Sequence, residues 1–165
     1  MHSNDGRLES GTVVRFQRLL PGPIERAWRF LTESEHLAGW LGPGSTIEPR
    51  AGGAVSIAEG HIRGVVTQWQ PPRLLAYTWN VFGPRATESP YPESYVTFEL
   101  REEEGGVLLT LTHLPIIEGF EAQTLMGWHT LLDLLDALVH SREPEPREAL
   151  LERHRVRYGV ESIKQ

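Results

Sequence analysis

Apolar residues recur at helical spacing near the end of the chain, between Phe120 and His140. They are Met126, Trp128, Leu131, Leu132, Leu135, Leu138 and Val139, with one glycine, Gly127, and no proline in the segment. This spacing predicts one long amphipathic helix. Because the middle of the chain shows short alternating patterns instead, we expect the helix to lie across a sheet and to form half of the core.

The first part of the chain predicts one strand and two short helices. Thr12–Leu20 alternates as a strand with one buried face does, although Arg18 falls in the apolar phase. Pro21–Pro23 ends this strand, and an apolar stripe follows at Ile24, Ala27, Trp28 and Leu31, which predicts a short helix. Thr32–Glu35 has the spacing of a capping box, so a second short helix is expected to start there.

The rest of the chain predicts a meander and a final helix. Thr46–Leu114 consists of short β-rich runs separated by glycine and proline turns, which predicts an antiparallel meander of about five strands. The loop Gly83–Pro92 is its longest irregular piece and is either a gate or inert. Arg147–Tyr158, closed by Gly159, predicts a shorter helix that docks on its own domain or on a partner.

Composition excludes several classes of protein. The 165 residues suit one domain, and 39% hydrophobic with 23% charged residues is too apolar for a disordered chain. With no cysteine there is no disulfide and no thiolate nucleophile. A net charge of −6 argues against nucleic acid or an anionic membrane surface as partner. No apolar run reaches membrane-spanning length and residues 1–11 lack a signal core, so we predict a cytoplasmic protein without membrane insertion.

A set of short motifs, in order along the chain, carries a family resemblance. They are Leu20–Thr32, Trp40-Leu41-Gly42, Gly52-Gly53, Pro71–Trp79, Leu111-Thr112-His113 and Gly127-Trp128. The sequence resembles the activator of heat shock protein 90 ATPase homologue family of the START-like, or SRPBCC, superfamily. The resemblance implies an α+β helix-grip fold: a curved antiparallel sheet of about six to seven strands wrapped around a long C-terminal helix, with a cavity for apolar ligands. The expected division is a flexible tail at 1–11, the START-like domain at 12–141 and a helical extension at 142–165.

Strand phase identifies side chains that face the expected cavity. His113 shares a face with Leu109 and Leu111, so its imidazole is predicted to point inward and to need a partner. Together with the resemblance, this gives a candidate ligand-binding set: Trp40, Tyr77, Trp79, Phe98, His113, Met126 and Trp128. The alternative is that these side chains are ordinary core.

Other candidates for chemistry are weaker. His129, Asp133, Asp136 and His140 line one face of the long helix at the spacing of metal ligands. They also form the polar face opposite the leucine stripe, and a metal site needs ligands from a second element, so we predict a solvated face and no metal. Glu48 and Glu59, with His113 and Tyr77, are the groups available for acid–base chemistry, but none has a visible partner. No catalytic residue and no cofactor is predicted.

Three function classes therefore remain at this stage. The first is non-catalytic binding of a small apolar molecule, such as a lipid, a polyketide or an aromatic compound. The second is a protein-interaction module of the co-chaperone type, including a homodimer, which the final helix suggests. The third is a cyclase- or dehydratase-like enzyme acting on a polyketide or aromatic substrate, which requires several ionisable groups to converge in the cavity.

Overall fold

The structure is a computed structural model that describes residues 11–83 and 85–161. The strands are β1 Thr12–Leu20, β2 Thr46–Ile47, β3 Ala54–Ile57, β4 Ile62–Gln70, β5 Leu74–Val81, β6 Ser94–Glu103 and β7 Gly106–Ile116. The helices are α1 Ile24–Thr32, α2 Ser34–Leu37, α3 Glu121–Val139 and α4 Arg147–Tyr158. The predicted N-terminal tail falls on residues 1–11, of which 1–10 lie outside the described residues.

The strands form one curved antiparallel sheet in the order β1-β7-β6-β5-β4-β3-β2. The first strand, β1, pairs with β7, which is the last strand before α3. The α+β helix-grip fold expected from the resemblance is confirmed. Among the described helices, none is long and apolar enough to cross a membrane.

One face of α3 closes the core against the sheet. Trp128, Leu132, Leu135 and Val139 repeat at helical spacing and are each at most 3% exposed. They belong to the same apolar cluster as the inward-facing residues of the strands, among them Leu75, Tyr77, Val96, Phe98, Leu109 and Leu111. Burying both surfaces supplies the main driving force for folding.

Two details of the early chain differ from the predictions. The region predicted to hold about five strands has six, because the two-residue strand β2 leaves almost no alternation in the sequence. The predicted capping box is wrong: the residue that precedes α2 is Glu33, and it makes no side-chain cap. The Thr32 hydroxyl instead donates to the carbonyl of Trp28 at 2.9 Å, within the preceding helix.

The final helix α4 packs on its own domain, against α3. The predicted bounds Arg147–Tyr158 are confirmed, and Gly159 ends the helix in the left-handed region, with φ of 68°. Leu150 and His154 are its buried residues, at 2% and 1% exposed. Docking on the same chain therefore accounts for the apolar stripe of this helix.

Candidate ligand pocket

A pocket of about 450 Å³ opens where β5, β6 and β7 approach the start of α3. Trp79 and His113 form part of its wall, and the exposed rings of Tyr91 and Phe120 lie at its mouth, 5.8 Å apart. The remaining lining residues are His61, Val81, Pro92, Ser94, Pro115, Ile116, Ile117, Gln123 and Thr124. The volume lies in the range of small-molecule sites. The loop Gly83–Pro92 reaches the pocket through Tyr91 and Pro92, and its role as a gate stays a prediction.

A chain of hydrogen bonds forms the polar floor of the pocket. The indole Nε1–H of Trp128 donates to Nδ1 of His113 at 2.9 Å, and Nε2 of His113 lies 2.7 Å from Oγ of Ser94. The Ser94 hydroxyl in turn donates to the carbonyl of Trp79 at 3.2 Å. The prediction that His113 points inward and finds a partner is confirmed, since the residue is 6% exposed and both ring nitrogens are paired.

Trp128 determines the tautomer of His113. An indole N–H is a donor only, so Nδ1 of His113 must carry a lone pair and Nε2 must carry the proton. Burial lowers the pKa of His113 to about 4, which keeps the ring neutral near neutral pH. His113 therefore donates to Ser94 and cannot take its proton, so the pair is not arranged as a nucleophile and its general base.

Six of the seven predicted binding residues separate into two groups. Trp79 and His113 line the pocket. Trp40, Tyr77, Phe98 and Trp128 lie beneath it, each at most 3% exposed, with ring centroids of neighbouring members about 6 Å apart. Met126 is half-buried on α3 and is not among the lining residues. Trp79 and His113 thus belong to the pocket wall, whereas the four aromatic residues beneath them are part of the core.

The other candidate acid–base groups do not join His113 in the pocket. Glu48 and Glu59 are exposed, and Glu48 pairs with Arg50 at 3.1 Å. Tyr77 is fully buried, its hydroxyl has no partner among the described residues, and burial raises the pKa of its phenol. Besides His113, the ionisable side chains among the described lining residues are those of His61 and Tyr91, which are both exposed.

A second polar cluster, which we call the clasp, consists of Arg18, His129, Asp133 and His154. The Asp133 carboxylate accepts from Arg18 Nη1 at 2.9 Å and from His154 Nε2 at 2.7 Å. The rings of His129 and His154 stack with centroids 3.7 Å apart. The prediction of a fully solvated face is wrong at His129 and Asp133, whose side chains are 18% and 22% exposed because α4 covers them. The clasp also explains why Arg18 occupies an apolar phase of β1.

The clasp contains groups that ligate metals, but its charges are already balanced. His129, Asp133 and His154 bring one candidate ligand atom each to within 4.8 Å of one another. Arg18 Nη1 already pairs with one carboxylate oxygen of Asp133, and His154 Nε2 pairs with the other. Burial raises the pKa of Asp133, but hydrogen bonds from His154 and Arg18 outweigh it and hold this pKa below its usual value. We therefore interpret the clasp as an attachment of α4, and the absence of a metal stays a prediction.

Comparison of the sequence with family models identifies a family. The sequence model of the family described as "Activator of Hsp90 ATPase homolog 1-like protein" matches residues 21–140. The chain belongs to this family. A comparison with curated proteins gives no match. The matched residues contain the whole pocket, whereas α4 with His154 lies beyond them.

Solved structures of other proteins show the same fold. The protein encoded by gene BPP1335 of Bordetella parapertussis is 28% identical, with a TM-score of 0.69 over 99% of this chain and 93% of that chain. CalU16 from Micromonospora echinospora is 23% identical, with a TM-score of 0.66 over 90% and 85% of the two chains. PFC0360w, an HSP90 activator from Plasmodium falciparum, is 20% identical, with a TM-score of 0.67 over 82% and 100%. The last two likenesses show the fold alone.

Sequence reasoning missed several pocket residues in this family member. Ser94 shares the phase of Val96, Phe98 and Leu100, so alternation alone would have placed it on the inner face. Tyr91 lies in an irregular loop and Phe120 precedes α3, so neither has a periodicity that would indicate where it points. His61 comes from the turn before β4, a position that only the pairing of β4 with β5 brings to the pocket.

Replacing Asp133 tests the clasp of this family member. Asp133→Ala should lower the free energy of unfolding by about 2 kcal/mol, because it removes an ionised acceptor shared by β1 and α4. Asp136→Ala is the matched control, since Asp136 lies on the same helix but pairs with Arg142, which is 60% exposed. Urea unfolding of the two variants measures the difference. Equal losses would show that the clasp does not hold α4 in place.

Proposed function

We propose that the protein binds a small apolar molecule in the pocket between the sheet and the start of α3, without transforming it. The single observation that carries the proposal is the pocket of about 450 Å³, with walls of aromatic and aliphatic side chains. Of the residues predicted to contact the ligand, we propose Trp79 and His113 as direct contacts. Membership of the family supports a ligand-binding or co-chaperone-like module in general.

The chemistry of the wall favours a neutral ligand. None of the described lining residues is Asp, Glu, Lys or Arg, so no fixed charge is available to pair with an ionised group. Trp79, Tyr91 and Phe120 offer ring faces and edges, which suit flat apolar molecules. His113 is held neutral by its surroundings, as its hydrogen bond from Trp128 requires. An ionised ligand would lose its hydration without compensation.

Binding of an apolar aromatic probe should quench or shift tryptophan emission saturably, because Trp79 lines the pocket. Burial of apolar surface should also give the binding a negative heat-capacity change in calorimetry. Naphthalene and anthracene derivatives, short lipids and polyketide-like aromatics form a suitable panel. No saturable binding across this panel would contradict the proposal.

A matched pair of variants locates the binding. Val81→Phe places a larger side chain in the pocket wall and should weaken binding of the probe. Val65→Phe adds the same ring at a residue of β4 that is 46% exposed, and it should leave the affinity unchanged. Melting temperatures of both variants report whether they fold normally. Equal affinities for the probe would place the bound molecule somewhere other than this pocket.

The alternative proposal is a protein-interaction module of the co-chaperone type, including a homodimer. Its support is the family and the likeness to an HSP90 activator, which at 20% identity concerns the fold alone. The final helix suggested a free interaction surface, but it is packed against α3 through Leu150 and His154. We therefore favour ligand binding. Size-exclusion chromatography with light scattering would test the homodimer directly.

A further inference from the structure

We infer that the preferred ligand is a neutral aromatic molecule that carries a hydrogen-bond donor, such as a phenolic hydroxyl or a ring N–H, and that Ser94 Oγ accepts from it. The inference rests on the proposed function and adds the chemical class of the ligand. It follows from the direction of the hydrogen-bond chain at the floor of the pocket, which runs from Trp128 through His113 and Ser94 to the carbonyl of Trp79.

The direction of this chain is fixed at its first member. The indole of Trp128 has a proton and no acceptor lone pair, so it donates to His113 Nδ1. A neutral imidazole that accepts at Nδ1 carries its proton at Nε2, and this proton points to Ser94 Oγ at 2.7 Å. The opposite direction would bring two N–H protons together across 2.9 Å between Trp128 and His113.

Counting donors and acceptors at Ser94 shows what remains for a ligand. A serine hydroxyl has one proton and two acceptor lone pairs. Its proton goes to the carbonyl of Trp79 at 3.2 Å, and one lone pair accepts from His113. One lone pair is left on a half-buried residue that lines the pocket. The free polar capacity of the floor is thus an acceptor, and it complements a ligand donor.

The surrounding wall makes this acceptor selective. A donor that enters the pocket loses its hydrogen bonds to water and regains one only where an acceptor is present. A ligand that has only an acceptor gains nothing from the Ser94 lone pair, and the donors of His61, Tyr91 and Gln123 lie on exposed residues, where water competes for them. Aromatic ligands suit the rest of the pocket, because the ring of Trp79 forms part of the wall and the rings of Tyr91 and Phe120 lie at the entrance.

Pairs of nearly equal shape test the inference by calorimetry. Indole has a ring N–H and benzothiophene has none, so indole should bind about five- to tenfold more tightly. Quinoline, which adds only an acceptor to naphthalene, should bind no more tightly than naphthalene. 2-Naphthol should bind more tightly than its methyl ether, by a factor similar to that between indole and benzothiophene. If these compounds bind without a preference for donors, the inference is wrong and the proposed function stands; if none binds, the proposed function itself fails.

Variants of Ser94 assign the acceptor. Ser94→Ala should abolish the preference for indole over benzothiophene, and Ser94→Thr, which retains a hydroxyl, should restore it. Ser56→Ala is the matched control, because Ser56 lies on β3 and is not among the lining residues; this variant should keep the preference. Benzothiophene affinity reports whether the Ser94→Ala pocket remains intact. A preference that survives Ser94→Ala with benzothiophene still bound would assign the acceptor to another group, such as the Thr124 hydroxyl, and would overturn the role of Ser94.

Discussion

Leu135→Ala should lower the free energy of unfolding by about 2 to 5 kcal/mol, because it truncates a fully buried side chain of the core. Leu135 is 1% exposed and lies on the α3 stripe that faces the sheet. Replacing its isobutyl group with a methyl group leaves a cavity that a helix bounded by a sheet on one side and by α4 on the other can close only in part.

Urea unfolding at constant pH measures this loss, and Leu19→Ala is the matched control. Leu19 lies on β1 and is 50% exposed, so the same truncation there removes little buried surface. The midpoint should shift strongly for Leu135→Ala with little change in the slope of the transition. Equal midpoints for the two variants would mean that this face of α3 is not the inner half of the core.

The protein should lose stability as the pH falls from about 6.5 to about 4, by on the order of 3 kcal/mol from His113 alone. Burial lowers the pKa of His113 to about 4 in the folded state, whereas the unfolded residue titrates near 6.5. Between these values the unfolded chain binds the proton and the folded chain does not, so acid favours unfolding. His113 therefore does not reduce the free energy of unfolding above about pH 6.5. Its effect grows as the pH falls below 6.5 and reaches its full size once the pH has fallen through the folded pKa.

Nuclear magnetic resonance of the His113 ring and unfolding at several pH values measure the two sides of this linkage. The ring should remain neutral, with its proton on Nε2, down to about pH 4. His113→Phe should flatten the dependence of stability on pH, although it leaves the Trp128 N–H without an acceptor and lowers stability at pH 7. His113 titrating near 6.5 would contradict the prediction.

His129 contributes to the same acid range and has to be separated from His113. Burial, partly offset by the Asp133 carboxylate, lowers the pKa of His129 to about 4. A His129→Phe variant and the double variant with His113→Phe distinguish the two contributions. Because the two histidines lie in the clasp and in the pocket floor, which are different sites, their effects on the slope should add.

Most secondary structure could be predicted from the sequence, because it depends on neighbours along the chain. The bounds of β1 and α4 agree with the alternation of Thr12–Leu20 and with the glycine after Tyr158. The inward direction of His113 followed from its phase alone, since a strand turns successive side chains to opposite faces. The prediction of the helix cap at Thr32 was less reliable. A threonine hydroxyl can either accept from a backbone N–H of the following helix or donate to a carbonyl of the preceding one, and that of Thr32 donates to Trp28.

The site was predicted only in part, because its residues come from segments that are distant in sequence. Trp79 and His113 were found through strand phase, but phase does not say whether an inward side chain meets a ligand or another ring. For Trp40 and Phe98 the answer is another ring, with centroids 6.2 Å apart. Periodicity reports that a side chain is buried, and packing decides what it is buried against.

The sequence by itself determined the elements, the inward phase of the strands and the family of this protein, since these depend on local periodicity and on short motifs. Only the tertiary structure decided which polar groups meet. His154 comes to Asp133 across 21 positions of the chain, and Ser94 comes to His113 across 19. Hydrogen bonds form only within about 3 Å, a precision that depends on the packing of the whole domain. Strand phase therefore indicates that Ser94 and His113 face inward, but no pattern along the chain indicates that they meet or that His154 meets Asp133.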